Sequence, residues 1–347
     1  MAETAGTTHH SRFWLYAPFV LLGLVAVAWT GAWTLIRGRV VEGADRWLAA
    51  EAQAGRQWTC QDRQVGGYPF RIEVSCASLT LQGDGVSGSL GRVHSVAQVY
   101  QPGHVITEIA GPMRFTDGRV NVEGTWRLLE TSLRGSSRGF QRASLLAEGA
   151  QFQITGAAPE PLALSSERLE AHLRPNPSRA AERAFDAAVR ASQARLPFVD
   201  ALVGGGEPTN VQLDLTATEA EGFRGRPAVD EIERWRQANG KLDILQLSLA
   251  KGARRMEATG ALRLDELRRP AGQLNVAAAG LDGLINNLTG NRVGGNLLGA
   301  LLGQAPRPQG QAAGSNGLSN LPPFRIEDGR VLFGPFAVPN LRLPPLY

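Results

Sequence analysis

From Phe13 to Ile36 the chain runs for 24 residues without a charged side chain. At about 1.5 Å of rise per residue, a helix of that length crosses a ~30 Å hydrocarbon core, so the segment predicts one transmembrane helix. Rings suited to the headgroup zone stand at both ends, Phe13, Trp14 and Tyr16 first, Trp29 and Trp33 last. Pro18 falls near the start, where a missing N–H is tolerated. A cleaved signal peptide is the competing reading, because Ala26-Val27-Ala28 has the small-x-small pattern and Arg12 supplies a positive start. The apolar run continues past that cut to Ile36, which favours the anchor, and a buried soluble helix is the weakest of the three.

Two signals oppose each other on orientation. Arg12 precedes the span while Arg37, Arg39 and Arg46 follow it, a count that by itself keeps the bulk of the chain in the cytoplasm. Against it stand the only cysteines, Cys60 and Cys76, each on the apolar phase of an alternating run. Trp58 and Cys60 alternate with Thr59 and Gln61, and Ile72, Val74 and Cys76 alternate with Glu73 and Ser75. Gly66-Gly67-Tyr68-Pro69 supplies a turn between them, so a hairpin or near-neighbour pair brings the sulfurs within bridging reach. A disulfide belongs to an oxidising compartment, and the expectation is a periplasmic bulk. Two reduced core cysteines are the alternative; a metal site lacks both a Cys-x-x-Cys and paired histidines.

The remaining chain is expected to be mainly β with a few helices, a long curved antiparallel sheet after the anchor. Residues 1–12 are placed in the cytoplasm, 13–36 in the membrane, and 37–56 in a membrane-proximal helix. Residues 57–303 form a β-rich periplasmic domain with helices near 177–196 and 281–303, 304–320 a flexible linker, and 321–347 a closing strand pair. Val120, Val122, Trp126 and Leu128 alternate with polar neighbours, as do Phe152 and Ile154, and later Val211, Leu213 and Leu215. Asn176 as N-cap and Pro177 at the first helical position introduce a stripe of Ala181, Ala184, Phe185, Ala188, Val189 and Ser192. Asp230 to Ala238 reads as a short helix, and a phase slip at Ile244-Leu245 predicts a bulge. Leu281, Leu284, Ile285 and Leu288, then Leu297, Leu298, Leu301 and Leu302, suit a helical hairpin on the sheet or a membrane-touching amphipathic element. Residues 114–120 and 325–331 share Arg-apolar-x-Asp-Gly-Arg-Val, a tight-turn signal that fits a structural repeat or two independent hairpins.

Catalytic constellations are scarce. Gly83-Asp84-Gly85-Val86-Ser87-Gly88 fits Gly-x-Gly-x-x-Gly but leads into Val93, Val96 and Val99 and is read as a hairpin loop. His94, His104 and His172 are scattered in strands, and His9 and His10 precede the span. No catalytic, metal or cofactor residue is assigned. A net charge of +4 from 36 basic and 32 acidic residues, with dispersed arginines, gives no nucleic-acid surface.

The anchor, Trp58-x-Cys60, then Gly67-Tyr68-Pro69-Phe70-Arg71-Ile72 leading to Cys76, resembles an uncharacterised domain-of-unknown-function family of single-span Gram-negative envelope proteins. Asp328-Gly329-Arg330-Val331-x-x-Gly334-Pro335 and Leu343-Pro344-Pro345-Leu346 resemble its C-terminal end. That resemblance implies a topology and no chemistry. At the level of pattern only, an anchor followed by long Gly-punctuated strands is similar to AsmA-like envelope proteins, associated with lipid handling and outer-membrane assembly. A sheet whose apolar face exceeds its helical cover is a groove for acyl chains. The expected function is a membrane-anchored periplasmic protein that binds or passes lipid-like molecules or supports envelope assembly. Val122, Trp126, Val211, Leu213 and Leu215 are the candidate lining; the alternative is a structural or protein-interaction module with no small-molecule ligand.

Overall fold

A computed structural model describes residues 13–83, 85–137, 139–222, 228–280, 317–334 and 336–347. Helix α1 (Phe13–Gln53) is continuous over 41 residues. The membrane-proximal helix expected at 37–56 is therefore no separate element. No proline follows Pro18 within α1, and the helix ends only where Gly55 adopts φ +79° just beyond it. Among the described residues α1 is the one helix long and apolar enough to cross a membrane.

Among the described residues, the strands after α1 form one antiparallel meander. The first pass leaves α1 as β1 (Gln57–Gln61) and continues as β2 (Gln64–Gly66). It returns as β3 (Arg71–Cys76) and β4 (Ser78–Gln82), which pair with β2 and β1 respectively. The next passes are β5 (Ser87–Leu90) with β6 (Val93–Gln98), β7 (Gln101–Ile109) with β8 (Met113–Thr116), and β9 (Asn121–Thr125) with β10 (Leu128–Ser136). The half-strands pair level by level, β3–β6–β7–β10 on one side of the break and β4–β5–β8–β9 on the other. Strand β11 (Gly139–Thr155) joins both levels, pairing with β10 through its first part and β9 through its second.

The break has a residue-level cause. Ala147 and Ala150 of β11 are both buried although three positions apart, so the alternation slips at Gly149, which takes φ +61°. Cys76 and Leu79, and Leu90 and Val93, are likewise three apart across the same level. A slip of this kind bends a strand without ending the pass.

Beyond β11 the passes are uninterrupted: β12 (Leu162–Pro175), β13 (Phe185–Ala194), β14 (Thr209–Ala217), β15 (Leu242–Lys251), β16 (Arg254–Leu264) and β17 (Pro270–Ala279). Each pairs with the next. Asp214 faces Gln246 and Leu215 faces Ile244, so Leu245 bulges at the expected phase slip. The expected helix at 177–196 is corrected: a 3-10 turn spans Pro177–Glu182, and β13 follows. The cap was read correctly, since the Asn176 side chain accepts from the N–H groups of Ser178 and Arg179, but Arg183 at φ 48° ends the turn at once. Among the described residues the short α-helices are α2 (Pro197–Val203) and α3 (Ala228–Gln237), the latter matching the expected interlude.

The closing segment has more strands than the expected pair. β18 (Ser319–Asn320), within the stretch expected as linker, and β19 (Phe324–Glu327) both pair with β17. β20 (Arg330–Phe333) and β21 (Phe336–Arg342) follow as a meander. The helical hairpin expected at 281–303 and linker residues 304–316 lie outside the described residues. The repeated Asp-Gly makes two different turns. Asp328 (φ 52°) and Gly329 (φ 71°) form a two-residue link between Glu327 and Arg330. Asp117 and Gly118 lie in a four-residue loop between Thr116 and Asn121, where the Asp117 carboxylate accepts from the N–H groups of Arg119 and Val120. The Gly-rich run from Gly83 does link β4 to β5 as a hairpin.

Candidate functional site

Strand register assembles one apolar face. Facing residues run Val74, Ser95, Thr107, Thr131, Leu145, Ala171, Val189, Leu213, Leu247, Ala258 and Val276 from β3 to β17. At roughly 4.8 Å per strand this row is about 50 Å long. The row beside it carries Ile72, Ala97, Val105, Leu133, Ala143, Leu173, Ala187, Leu215, Ile244 and Gly260, and reaches Leu274, Phe324 and Phe333. Leu133 and Leu173 in it are 52% and 40% exposed, so the described residues leave this part of the face open.

The candidate lining is distributed along the sheet. Val211, Leu213 and Leu215 are successive face positions of β14. Val122 lies beyond the slip, between Phe115 and Ile154. Trp126 sits at the slip itself, between β9 and β10; its indole N–H donates to the Ile109 carbonyl at 2.7 Å and its ring lies 6.3 Å from Phe152. These residues do not converge on one pocket.

The opposite face is wet and carries the histidines. His172 Nδ1 meets Ser144 Oγ at 2.9 Å, His104 Nε2 meets Ser132 Oγ at 3.0 Å, and His94 lies 3.8 Å from Glu73. Arg168 bridges Glu148 and Glu170, and Arg174 pairs with Asp186. The Asp243 carboxyl is half-enclosed; burial raises its pKa, but hydrogen bonds from Lys241 and Arg179 outweigh that and hold it below the usual range. Among the described residues no cluster of three potential metal ligands forms.

The Gly67-Tyr68-Pro69-Phe70-Arg71 motif is placed against the anchor helix. Trp29 Nε1 donates to the Pro69 carbonyl at 2.9 Å, and Trp33 Nε1 donates to that of Arg71 at 3.1 Å. Thr30 Oγ1 and the Tyr68 hydroxyl are 2.9 Å apart, and Arg37 Nε donates to the Val65 carbonyl at 3.0 Å. Further along, Asp45 pairs with Arg63, Trp47 lies 6.0 Å from Trp58, and Glu51 accepts from both Arg56 and Trp58. Residues 29, 33 and 37 recur every fourth position, so one stripe of α1 is fastened along the first hairpin. Cys60 and Cys76 form a disulfide within that hairpin, with Cα atoms 5.2 Å apart. The docking role of Trp29, Thr30, Trp33 and Arg37 was missed by sequence reasoning, although the four-residue spacing of the two tryptophans was a usable signal.

At the other end of the strands Lys251 is fully buried. Its ammonium donates to Asp200 of α2 and to the Glu207 carbonyl, which satisfies a charge that burial otherwise penalises.

The fold and its surfaces define a class: an open antiparallel meander, apolar along one face, attached to a helix that fits a single-pass membrane anchor. A family model described as an uncharacterized protein conserved in bacteria (DUF2125) matches residues 33–342, and the chain belongs to that family. No curated protein and no solved structure matches it.

Proposed function

We propose that this protein is a periplasm-facing, membrane-anchored carrier or binding platform for lipid-like molecules. The observation that carries the reading is the apolar stretch of that row from Leu145 to Val276, flanked by a second row in which Leu133 and Leu173 remain open to solvent. An acyl chain laid on it gains about 0.8 kcal/mol per buried methylene, so a single chain is held by many small increments without a closed pocket. Apolar side chains left open on a sheet face favour an interaction site. The anchor reading of α1 is supported by the continuity of the helix, which carries the uncharged run through Ala28 into the docked stripe without a break. The disulfide favours the oxidising side of the membrane. The likeness of pattern to AsmA-like envelope proteins points the same way.

The test is a photo-crosslinking residue placed at Leu213 or Leu247 in the full chain, with Gln212 on the opposite face as control. Lipid adducts at the two leucines and none at Gln212 are expected by mass spectrometry. Protein adducts in their place would turn the face into a protein-interaction surface.

A further inference from the structure

We propose that the tip of the first hairpin, together with the neighbouring β6–β7 turn, is a second membrane contact, in which Tyr68, Phe70 and Tyr100 enter the interfacial zone of the bilayer that α1 crosses. The inference rests on the anchor reading of α1 and adds where the sheet meets the lipid.

The level of the tip is fixed by its partners. Tyr68, Pro69 and Arg71 are bonded to Thr30, Trp29 and Trp33, all inside the uncharged run that ends at Ile36. Thr30 precedes Arg37, the first charge after the run, by seven positions, about 10 Å along a helix axis. With Arg37 among the phosphates, Tyr68 lies at the boundary between headgroups and acyl chains.

The exposure of the tip is the second observation. Tyr68, Phe70 and Tyr100 are 53%, 64% and 66% exposed, whereas Trp33 beside them is buried at 9%. The Trp33 and Tyr68 rings meet edge to face at 5.4 Å, and Trp29 and Phe70 lie 6.2 Å apart, so the tip extends the aromatic belt of the helix sideways. The β6–β7 turn joins this surface, because Val99 N–H donates to the Phe70 carbonyl at 3.0 Å.

Charge completes the pattern. Gln64 to Phe70 and Val96 to Gly103 contain no charged residue. Arginine appears just above the tip, with Arg71 paired to Glu73 at 2.6 Å and Arg37 bound to the Val65 carbonyl. Aromatic rings below and guanidinium groups above match the order of acyl chains and phosphates across an interface.

The experiment places a nitroxide label on the full chain in vesicles of phosphatidylcholine and phosphatidylglycerol, through F70C or Y100C, with V25C as the bilayer reference and N121C at the far end as the water reference. The native cysteines are joined and do not take label. Labels at positions 70 and 100 are expected to show an oxygen-to-nickel accessibility ratio several-fold above N121C. Ratios at both positions equal to N121C, with V25C in the bilayer, overturn the proposal while sparing the anchor. A water-like V25C overturns both. Sheet circular dichroism and an intact disulfide confirm the fold of each labelled chain.

Discussion

At the tip of the first hairpin Gly67 adopts φ +99°, and a Cβ there would lie 2.7 Å from the Arg71 carbonyl oxygen. The Arg71 backbone blocks the methyl and the positive φ disfavours any side chain, so Gly67→Ala is expected to cost about 1–3 kcal/mol and to lower the melting temperature of the full chain. The buried ammonium makes a sharper case. Asp200→Ala removes the carboxylate facing Lys251 and leaves an uncompensated interior charge, a loss of about 3–5 kcal/mol. Adding Lys251→Met to that variant removes the charge as well and is expected to recover most of the loss in chemical denaturation, whereas a merely steric role for Asp200 predicts no recovery. Glu233 gives a pH signature. Hydrogen bonds from Arg236, the Tyr347 hydroxyl and Gln237 hold its carboxyl far below the ordinary 4.5. A depressed folded value contributes stability present above pH 4.5 and lost as pH falls through the folded value. Thermal melts of the wild type and Glu233→Gln, run from pH 7 to pH 3, are expected to differ most at pH 7 and to draw progressively closer as pH falls below 4.5. A gap that stays constant across that range removes the ionised clamp.

Elements show which parts of the sequence were legible and which were ambiguous. The alternating runs around Cys60, Cys76, Val122 and Leu213 were readable because one face is dry and the other wet, and the slip at Leu245 was visible as a break in phase. Strand β13 was not, for a reason intrinsic to its composition. Phe185, Ala188, Val189 and Ser192 satisfy helical spacing, while Phe185, Ala187, Val189 and Ala191 satisfy strand spacing equally well. Small residues carry too little polarity to separate the two, and the decision came from partners outside the segment. Ala187 stands between Leu173 and Leu215 on the apolar face, and Ala188 between His172 and Asp214 on the wet one. Ala187→Glu is therefore expected to destabilise by about 1–3 kcal/mol, and Ala188→Lys to stay within about 0.5 kcal/mol. A helix would bury Ala188 and reverse the order. The face of β10 was ambiguous for a related reason: Leu128 and Leu129 are adjacent, and only the slip near Trp126 puts Leu129 opposite Ala147.

On the scale of the whole molecule, orientation decides whether the apolar face can serve an envelope role, and its two indicators conflict. Arg37, Arg39 and Arg46 after the span argue for a cytoplasmic bulk by charge count. The structure gives two of them local work: Arg37 is bound to the Val65 carbonyl, and Arg46 donates to the Glu42 carbonyl one turn back along α1. Arg37, held by the folded domain, contributes to docking as well as to topology, which weakens the count as evidence. The disulfide points the other way. Closing a loop of 16 residues stabilises the hairpin by roughly 3 kcal/mol on a chain-entropy estimate, and that gain exists only where thiols are oxidised. In intact cells, Cys60 and Cys76 are accordingly expected to resist maleimide until a reductant is added, and a periplasm-dependent reporter enzyme fused after Tyr347 to be active. Free thiols together with an inactive reporter would place the sheet in the cytoplasm. The apolar face would then have to serve a partner on that side.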